Sequence, residues 1–261
     1  MSGNDSLGKT LSVVIGISLI CSIVVSGAAV GLKGMQDHNI KVNKQSNILQ
    51  VSGVDYQGKS ITDVYNKRIE PKVVNLNTGE YVPASKINPV TFNQRVAAKD
   101  PSMSMALSQN QDLAGIKRRS NYATVYLVHN KDGKLARVIL PIHGRGLWSM
   151  MYAFLAVAPD GNTVKGIIYY QQGETPGLGA QVENPSWRAE FVGKKLYNAN
   201  YKPALTLIKG GANPNAPSQV DALSGATLTS NGVRNTLKFW LGPLGYSKYL
   251  TKLRQGELNN G

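Results

Sequence analysis

Ala123-Thr124-Val125-Tyr126-Leu127-Val128, Asn130-Lys131-Asp132-Gly133 and Ala136-Arg137-Val138-Ile139-Leu140-Pro141-Ile142 together form the stretch that decides the fold. Two runs of β-branched, aromatic and aliphatic residues flank a turn whose Asp-Gly pair tolerates the positive φ of a tight loop. The stretch therefore predicts an antiparallel hairpin. The arrangement recurs at once: residues 152–158 and 164–170 are apolar runs on either side of Pro159-Asp160-Gly161-Asn162. Strands joined by connections this short form an antiparallel meander, because parallel neighbours need a crossover of about a dozen residues or more.

Downstream, Asn184-Pro185-Ser186 introduces a predicted helix over residues 187–196, with Asn184 or Ser186 as its cap. Residues 205–209 read as a short strand ended by Gly210-Gly211, residues 213–217 as a loop, and residues 231–241 as a final helix. Upstream, Ile61, Val64, Tyr65 and Ile69 have helical spacing over residues 60–70, and Pro71 ends that helix. Residues 72–76 and 80–82 predict a further hairpin around Asn77-Thr78-Gly79, and the polar residues 89–119 read as a connecting region. The sum is an α+β fold, an antiparallel sheet with flanking helices.

Residues 11–32 contain no charge and match the ~20 residues that a membrane-spanning helix needs. They predict one N-terminal transmembrane helix that tethers the rest. A cleaved signal peptide is the rival, with Ser26-Gly27-Ala28 as cleavage site, but the apolar run exceeds the usual ~7–15 residues. A lipid anchor at Cys21 lacks small residues in the preceding Ser18-Leu19-Ile20. Lys9 on one side and Lys33, Lys41 and Lys44 on the other leave the orientation open. The predicted organisation is a short N-terminus and transmembrane helix (1–34), a stalk and N-terminal α+β region (35–120), and a main domain with a C-terminal helix (121–261).

The formal net charge of +14 raises nucleic acid as a partner. The cations are scattered, however, with Lys117-Arg118-Arg119 the longest run, and neither a recognition-helix pattern nor zinc spacing accompanies them. A solvated basic face meeting acidic subunits or anionic headgroups is the expectation, with no nucleic acid. Cys21 is the single cysteine, so no internal disulfide forms, and His38, His129 and His143 are too dispersed to predict a metal site.

The chemistry-bearing stretch is Asp221-Ala222-Leu223-Ser224-Gly225-Ala226-Thr227-Leu228-Thr229-Ser230, a hydroxyl-rich turn opening a helix. Free N–H groups and the helix dipole there suit a phosphate, and the hydroxyls can hydrogen-bond it or be esterified by it; an ordinary N-cap fits the same residues. Gly144-Arg145-Gly146-Leu147-Trp148 joins the two hairpins, and its glycines permit close approach of backbone to a ligand. It lacks the third glycine and the βαβ setting of a dinucleotide fingerprint. Trp148 suits a core or a ring system equally. Glu174-Thr175-Pro176-Gly177-Leu178-Gly179 is a Gly/Pro loop after the fourth strand of the meander.

These three stretches, in this order, resemble the covalent FMN-binding domain family, over the chain from about Ala123 to the C-terminal helix. The resemblance implies FMN carried through a phosphoester on Thr227, the last residue of Ser-Gly-Ala-Thr, with Ser224, Gly225, Ala226, Leu228 and Thr229 around it. It also implies that Glu174, Thr175, Gly177 and Leu178 belong to a loop covering the isoalloxazine, beside Trp148. Ser224 and Thr229 are candidate phosphate donors, with helix capping as the alternative. Asp221 either orients the attachment site or caps the turn. Lys209 would favour a reduced, anionic flavin by its charge. A threonine hydroxyl is a poor nucleophile without a base, and no histidine is near in sequence, which agrees with a separate flavin transferase. No residue is assigned to catalysis. A serine hydrolase is disfavoured because Ser224 sits in no Gly-x-Ser-x-Gly elbow.

Within the family, the extended region after the anchor is similar to the C-type subunits of the sodium-translocating NADH:quinone reductases, with the G-type subunits of the Rnf electron-transport complexes as the alternative. The similarity implies a single-pass protein of the bacterial inner membrane with its soluble domain on the periplasmic side. It would pass electrons between other subunits during flow from NADH to ubiquinone while sodium is pumped.

Overall fold

The computed structural model describes residues 7–258; residues 1–6 of the predicted N-terminal segment, and residues 259–261, lie outside the described residues. Two compact units are present, one up to Gln45 and one from Ser46 onward.

The first unit is helical. Helix α1 (Leu7–Ser52) contains an 18-residue window of mean hydropathy 2.5, none of it buried in protein. Val14, Leu19, Ile23 and Val30 all have more than half of their surface exposed. A helix this long and apolar can cross a membrane. Residues 35–50, expected as a stalk or amphipathic helix, continue the same helix.

In the second unit, the last turn of α1 buries Ile48, Leu49 and Val51. Helix α2 (Ile61–Arg68) starts from Ser60, whose hydroxyl accepts from the Asp63 amide. It stops before the expected residue 70 because the chain turns directly into strand β1 (Ile69–Asn75). Pro71 thus sits inside a strand rather than behind a helix. Strand β2 (Glu80–Val82) pairs only with residues from Val73 to Asn75, so Pro71 has no ladder partner on that side and its missing N–H costs nothing there.

Residues 89–119, expected as a connection, contain helix α3 (Gln94–Ala97) and the antiparallel pair β3 (Ser104–Ala106) and β4 (Arg118–Ser120). Arg119 is only 1% exposed, donating from Nη1 to the Leu244 carbonyl at 2.8 Å and from Nη2 to Asn77 Oδ1 at 2.6 Å. The longest basic run therefore contributes a guanidinium to the interior, where its backbone and amide acceptors offset desolvation, and not to a solvated face.

The expected meander follows as β5 (Tyr122–His129), β6 (Leu135–Arg145), β7 (Met150–Val157) and β8 (Val164–Gln171). It is part of a six-stranded antiparallel sheet ordered β2-β1-β5-β6-β7-β8, so the hairpin at residues 69–82 hydrogen-bonds directly to β5. Both faces are covered. Val138, Leu140 and Ile142 join the larger core, whereas Ile139, Phe154 and Ile168 pack with Ile48 and Leu49. Two buried faces account for near-continuous apolar runs in place of polar alternation.

Beyond β8, Asn184 accepts from the Ser186 amide and caps helix α4 (Pro185–Ala189). The expected helix over 187–196 is shorter and earlier, because the Val164 amide donates to the Lys194 carbonyl and the Gly193 amide to the Val164 carbonyl, drawing the chain onto β8. Strand β9 (Thr206–Ile208) pairs in parallel with β10 (Gln219–Asp221), a strand the local pattern did not suggest. Helix α5 (Thr227–Trp240) begins four residues before the expected 231, and α6 (Ser247–Gln255) follows.

Trp240 Nε1 donates to the His143 carbonyl at 2.7 Å, fastening α5 to β6. The His143 ring lies between Tyr152, at 5.4 Å, and Trp240, at 5.0 Å. Burial, assisted by the Arg95 charge, pushes its pKa down to about 4. The folded state therefore binds the proton less readily than the unfolded chain, so the associated stability is present above about pH 6.5 and is lost as pH falls toward 4. Thermal melts across that window are expected to show a steeper loss in the unaltered chain than in His143→Asn.

Candidate functional site

Strand β10 delivers Asp221 to the turn that precedes α5. The N-cap position is Ala226, which supplies no capping side chain, so the ordinary cap expected of Ser or Thr does not form. The first amides of α5 thus have no acceptor from a capping side chain, a setting suited to an anion. Gly225 has φ +70°, which an L-residue adopts only at a cost of about 1–2 kcal/mol, and a Cβ there would lie 3.0 Å from Leu178 Cδ2. The turn is pinned by the Leu223 amide, which donates to Ser230 Oγ at 3.0 Å. Ser224, Thr227 and Leu228 are exposed, whereas Thr229 is 2% exposed.

The Thr229 hydroxyl donates to Glu174 Oε2 at 2.6 Å. The same carboxylate accepts from the amides of Leu147 and Trp148, each at 3.0 Å, and of Ser149 at 3.1 Å. All three motif stretches therefore converge on one side chain, itself 5% exposed. Burial pushes the Glu174 pKa up, but hydrogen bonds from Thr229 and the three amides outweigh it and hold the carboxyl below its ordinary value. A Cβ on Gly146 would stand 2.5 Å from Glu174 Oε1, so the absence of a side chain at this position leaves room for the carboxylate.

Trp148 is 68% exposed, with Nε1 donating to Thr175 Oγ1 at 3.1 Å, so it is not a core residue. Leu178 and Leu228 are also exposed on the segments that Glu174 joins. Thr175 and Gly177 lie in the exposed turn, which the Leu178 and Ala180 amides close by donating to the Thr175 carbonyl, each at 3.1 Å.

Beside Thr227 is a hollow of about 490 Å³ whose lining includes Lys209, Asp221, Ser224, Gly225, Asn231 and Arg234. Lys209, 18 residues before Thr227 in sequence, is thus brought to the same cavity. Asp221 Oδ1 accepts from the Ala212 amide, and its own amide donates to Glu190 Oε2 at 2.9 Å. Among the described residues neither Lys209 nor Arg234 forms an ion pair with a carboxylate. Arg234 was missed in the sequence. Its signal was helical spacing, since Asn231 and Arg234 follow Thr227 at i+4 and i+7 on one face of α5. The donor set suits a nucleotide phosphate: an accessible hydroxyl, an uncapped helix start and two cations, next to exposed apolar side chains for a ring system.

This fold and this convergence define an FMN-binding domain, and the family model of that description matches residues 146–242. The chain is 56% identical over 259 residues to the C-type subunit of the Na(+)-translocating NADH-quinone reductase of Vibrio vulnificus (strain YJ016), covering 99% of this chain and all of that one. It is 50% identical to the corresponding protein of Yersinia pestis, over 99% of this chain and 97% of that one. The crystal structure of NqrC from Shewanella oneidensis is similar with a TM-score of 0.77 at 38% identity, covering 83% of this chain and 99% of the other. The chain belongs to the NqrC family of Na(+)-translocating NADH-quinone reductase subunits, which favours that reading over the G-type subunit of an Rnf complex.

Proposed function

We propose that this chain is the FMN-carrying electron-transfer subunit of a Na(+)-translocating NADH-quinone reductase, with FMN esterified through its phosphate to Thr227. The observation that carries the reading is the exposed Thr227 at the uncapped start of α5, beside the unpaired cations of one hollow. When bound, FMN supplies reversible electron acceptance and release. Thr227 tethers it; Ser224 and the amides that open α5 are the donors available to its phosphate. Gly225 and Ala226 shape the turn. Trp148, Leu178 and Leu228 offer apolar surface to the ring, with Thr175 orienting the Trp148 indole and Gly177 shaping the covering turn. Glu174 and Thr229 act at one remove by holding these segments together. Lys209 favours the reduced, anionic form.

Among the described residues no histidine or cysteine lines the hollow, so the chain brings no strong base to Thr227, and a separate flavin transferase makes the ester. The apolar part of α1 anchors the protein once in the bacterial inner membrane, with the flavin domain on the periplasmic side and other membrane subunits of the complex as partners. Electrons pass through this flavin on the route from NADH to ubiquinone while the other subunits carry sodium. Two measurements test the reading. The full chain co-expressed with a flavin transferase should acquire a flavin absorbance that bleaches and recovers on reduction and reoxidation; a colourless protein would refute it. Alkaline phosphatase fused after residue 261 should be active, and an inactive fusion would overturn the periplasmic assignment.

A further inference from the structure

Arg234 is exposed on the second turn of α5 and shares the hollow with Thr227 and Lys209. Its Nη2 donates to Asn231 Oδ1 at 2.7 Å, and Asn231 stands between it and Thr227 on the same helix face. That bond poses a long, otherwise free-swinging side chain at the cavity wall without neutralising it. Among the described residues Asp221 is the carboxylate that lines the hollow, it accepts from the Ala212 amide, and no carboxylate forms an ion pair with Arg234. A planar guanidinium offers parallel donors that match two phosphate oxygens, which a lysine ammonium cannot do.

We infer that Arg234 holds the phosphodiester of the Thr227-bound nucleotide in this hollow and, with Lys209, makes the flavin a better electron acceptor. The inference rests on FMN being carried by Thr227. A diester and the Asp221 carboxylate bring two negative charges to two cations, so the hollow is balanced with Arg234 present and net negative without it, and only the balanced hollow does not oppose the form of the flavin that gains negative charge.

The test uses the full chain, flavinylated by a co-expressed transferase, and compares it with Arg234→Gln, Arg234→Lys and Arg234→Glu. Arg234 is exposed, so these variants are expected to fold. The flavin midpoint potential, measured by redox titration against indicator dyes, should fall in Arg234→Gln and fall further in Arg234→Glu. A tenfold loss of preference for the reduced form is about 30 mV for a two-electron couple. Arg234→Lys should keep most of the potential. The gap between the unaltered chain and Arg234→Gln should narrow with added salt, a response that a merely structural role would not produce. The phosphorus NMR resonance of the diester should also move in Arg234→Gln. An unchanged resonance together with equal potentials in all four proteins would overturn the inference. Absence of covalent flavin from the unaltered chain would instead overturn the attachment reading beneath it.

Discussion

Replacing Thr227 by alanine is expected to abolish the flavin-fluorescent band of this chain on a denaturing gel, after co-expression with a flavin transferase, while Ser224→Ala retains it. The size of the effect, complete loss against retention, follows from which hydroxyls a transferase can reach. Thr229 is buried and its hydroxyl is committed to Glu174, so it cannot replace Thr227 without breaking the contact that joins the motif stretches. Ser230 is buried and accepts from the Leu223 amide. Ser224 is exposed and lines the same hollow, but it precedes Gly225, whose left-handed backbone sets it before the first turn of α5. Thr227→Ser keeps a hydroxyl at the same place, primary instead of secondary, and should retain the band. Because Thr227 is an exposed first-turn residue, its loss should change stability by no more than about 0.5 kcal/mol, so a missing band would not reflect unfolding. A band that persists in Thr227→Ala would show that another hydroxyl carries the flavin.

The second large effect is expected at Glu174. Truncation to alanine removes the shared acceptor of the Leu147, Trp148 and Ser149 amides and of the Thr229 hydroxyl. Hydrogen bonds to a charged group contribute roughly 1.5–3 kcal/mol each, but they are not additive when one acceptor serves several donors. A loss on the order of 3 kcal/mol is the expectation, lowering the melting temperature by roughly 6–12 °C for a unit of this size. Glu174→Gln should cost less in packing, yet its amide nitrogen would face backbone donors. The sign of the pH dependence is set by the depressed carboxyl: its contribution is present above the unfolded value, roughly pH 4.3, and is lost as pH falls through the lower folded value. Denaturant titrations at pH 7 and at successively lower pH should therefore show the gap between the unaltered chain and Glu174→Gln closing in acid. A gap that stays constant would mean that the carboxylate charge is not what holds the loops.

Legibility in the sequence tracked how local each signal is. The meander was readable because long apolar runs and Asp-Gly-type turns act over neighbouring residues. Strand β9 was readable as the short strand at 205–209, but β3, β4 and β10 were not, since three-residue strands carry too little periodicity, and β10 pairs in parallel with residues 13 earlier in register. Helix boundaries shifted where tertiary bonds intervened, as when β8 captured the backbone of Gly193 and Lys194. Pro71 read as a helix stop because its tolerance in β1 depends on a neighbouring strand being short.

By itself the sequence determined that an apolar N-terminal segment is long enough to span a membrane, that an antiparallel meander forms, and that Ser224-Gly225-Ala226-Thr227 opens a helix with an available hydroxyl. These are properties of composition, period and turn chemistry, which neighbouring residues set among themselves. Only the tertiary structure decided that Glu174 is the junction of the three motif stretches and that Arg234 and Lys209 share the hollow beside Thr227. It also decided that Arg119 is interior and that Trp148 is exposed. Glu174 and Thr229 lie 55 residues apart. No local pattern encodes such a contact, because it exists only once packing against the sheet brings their segments together.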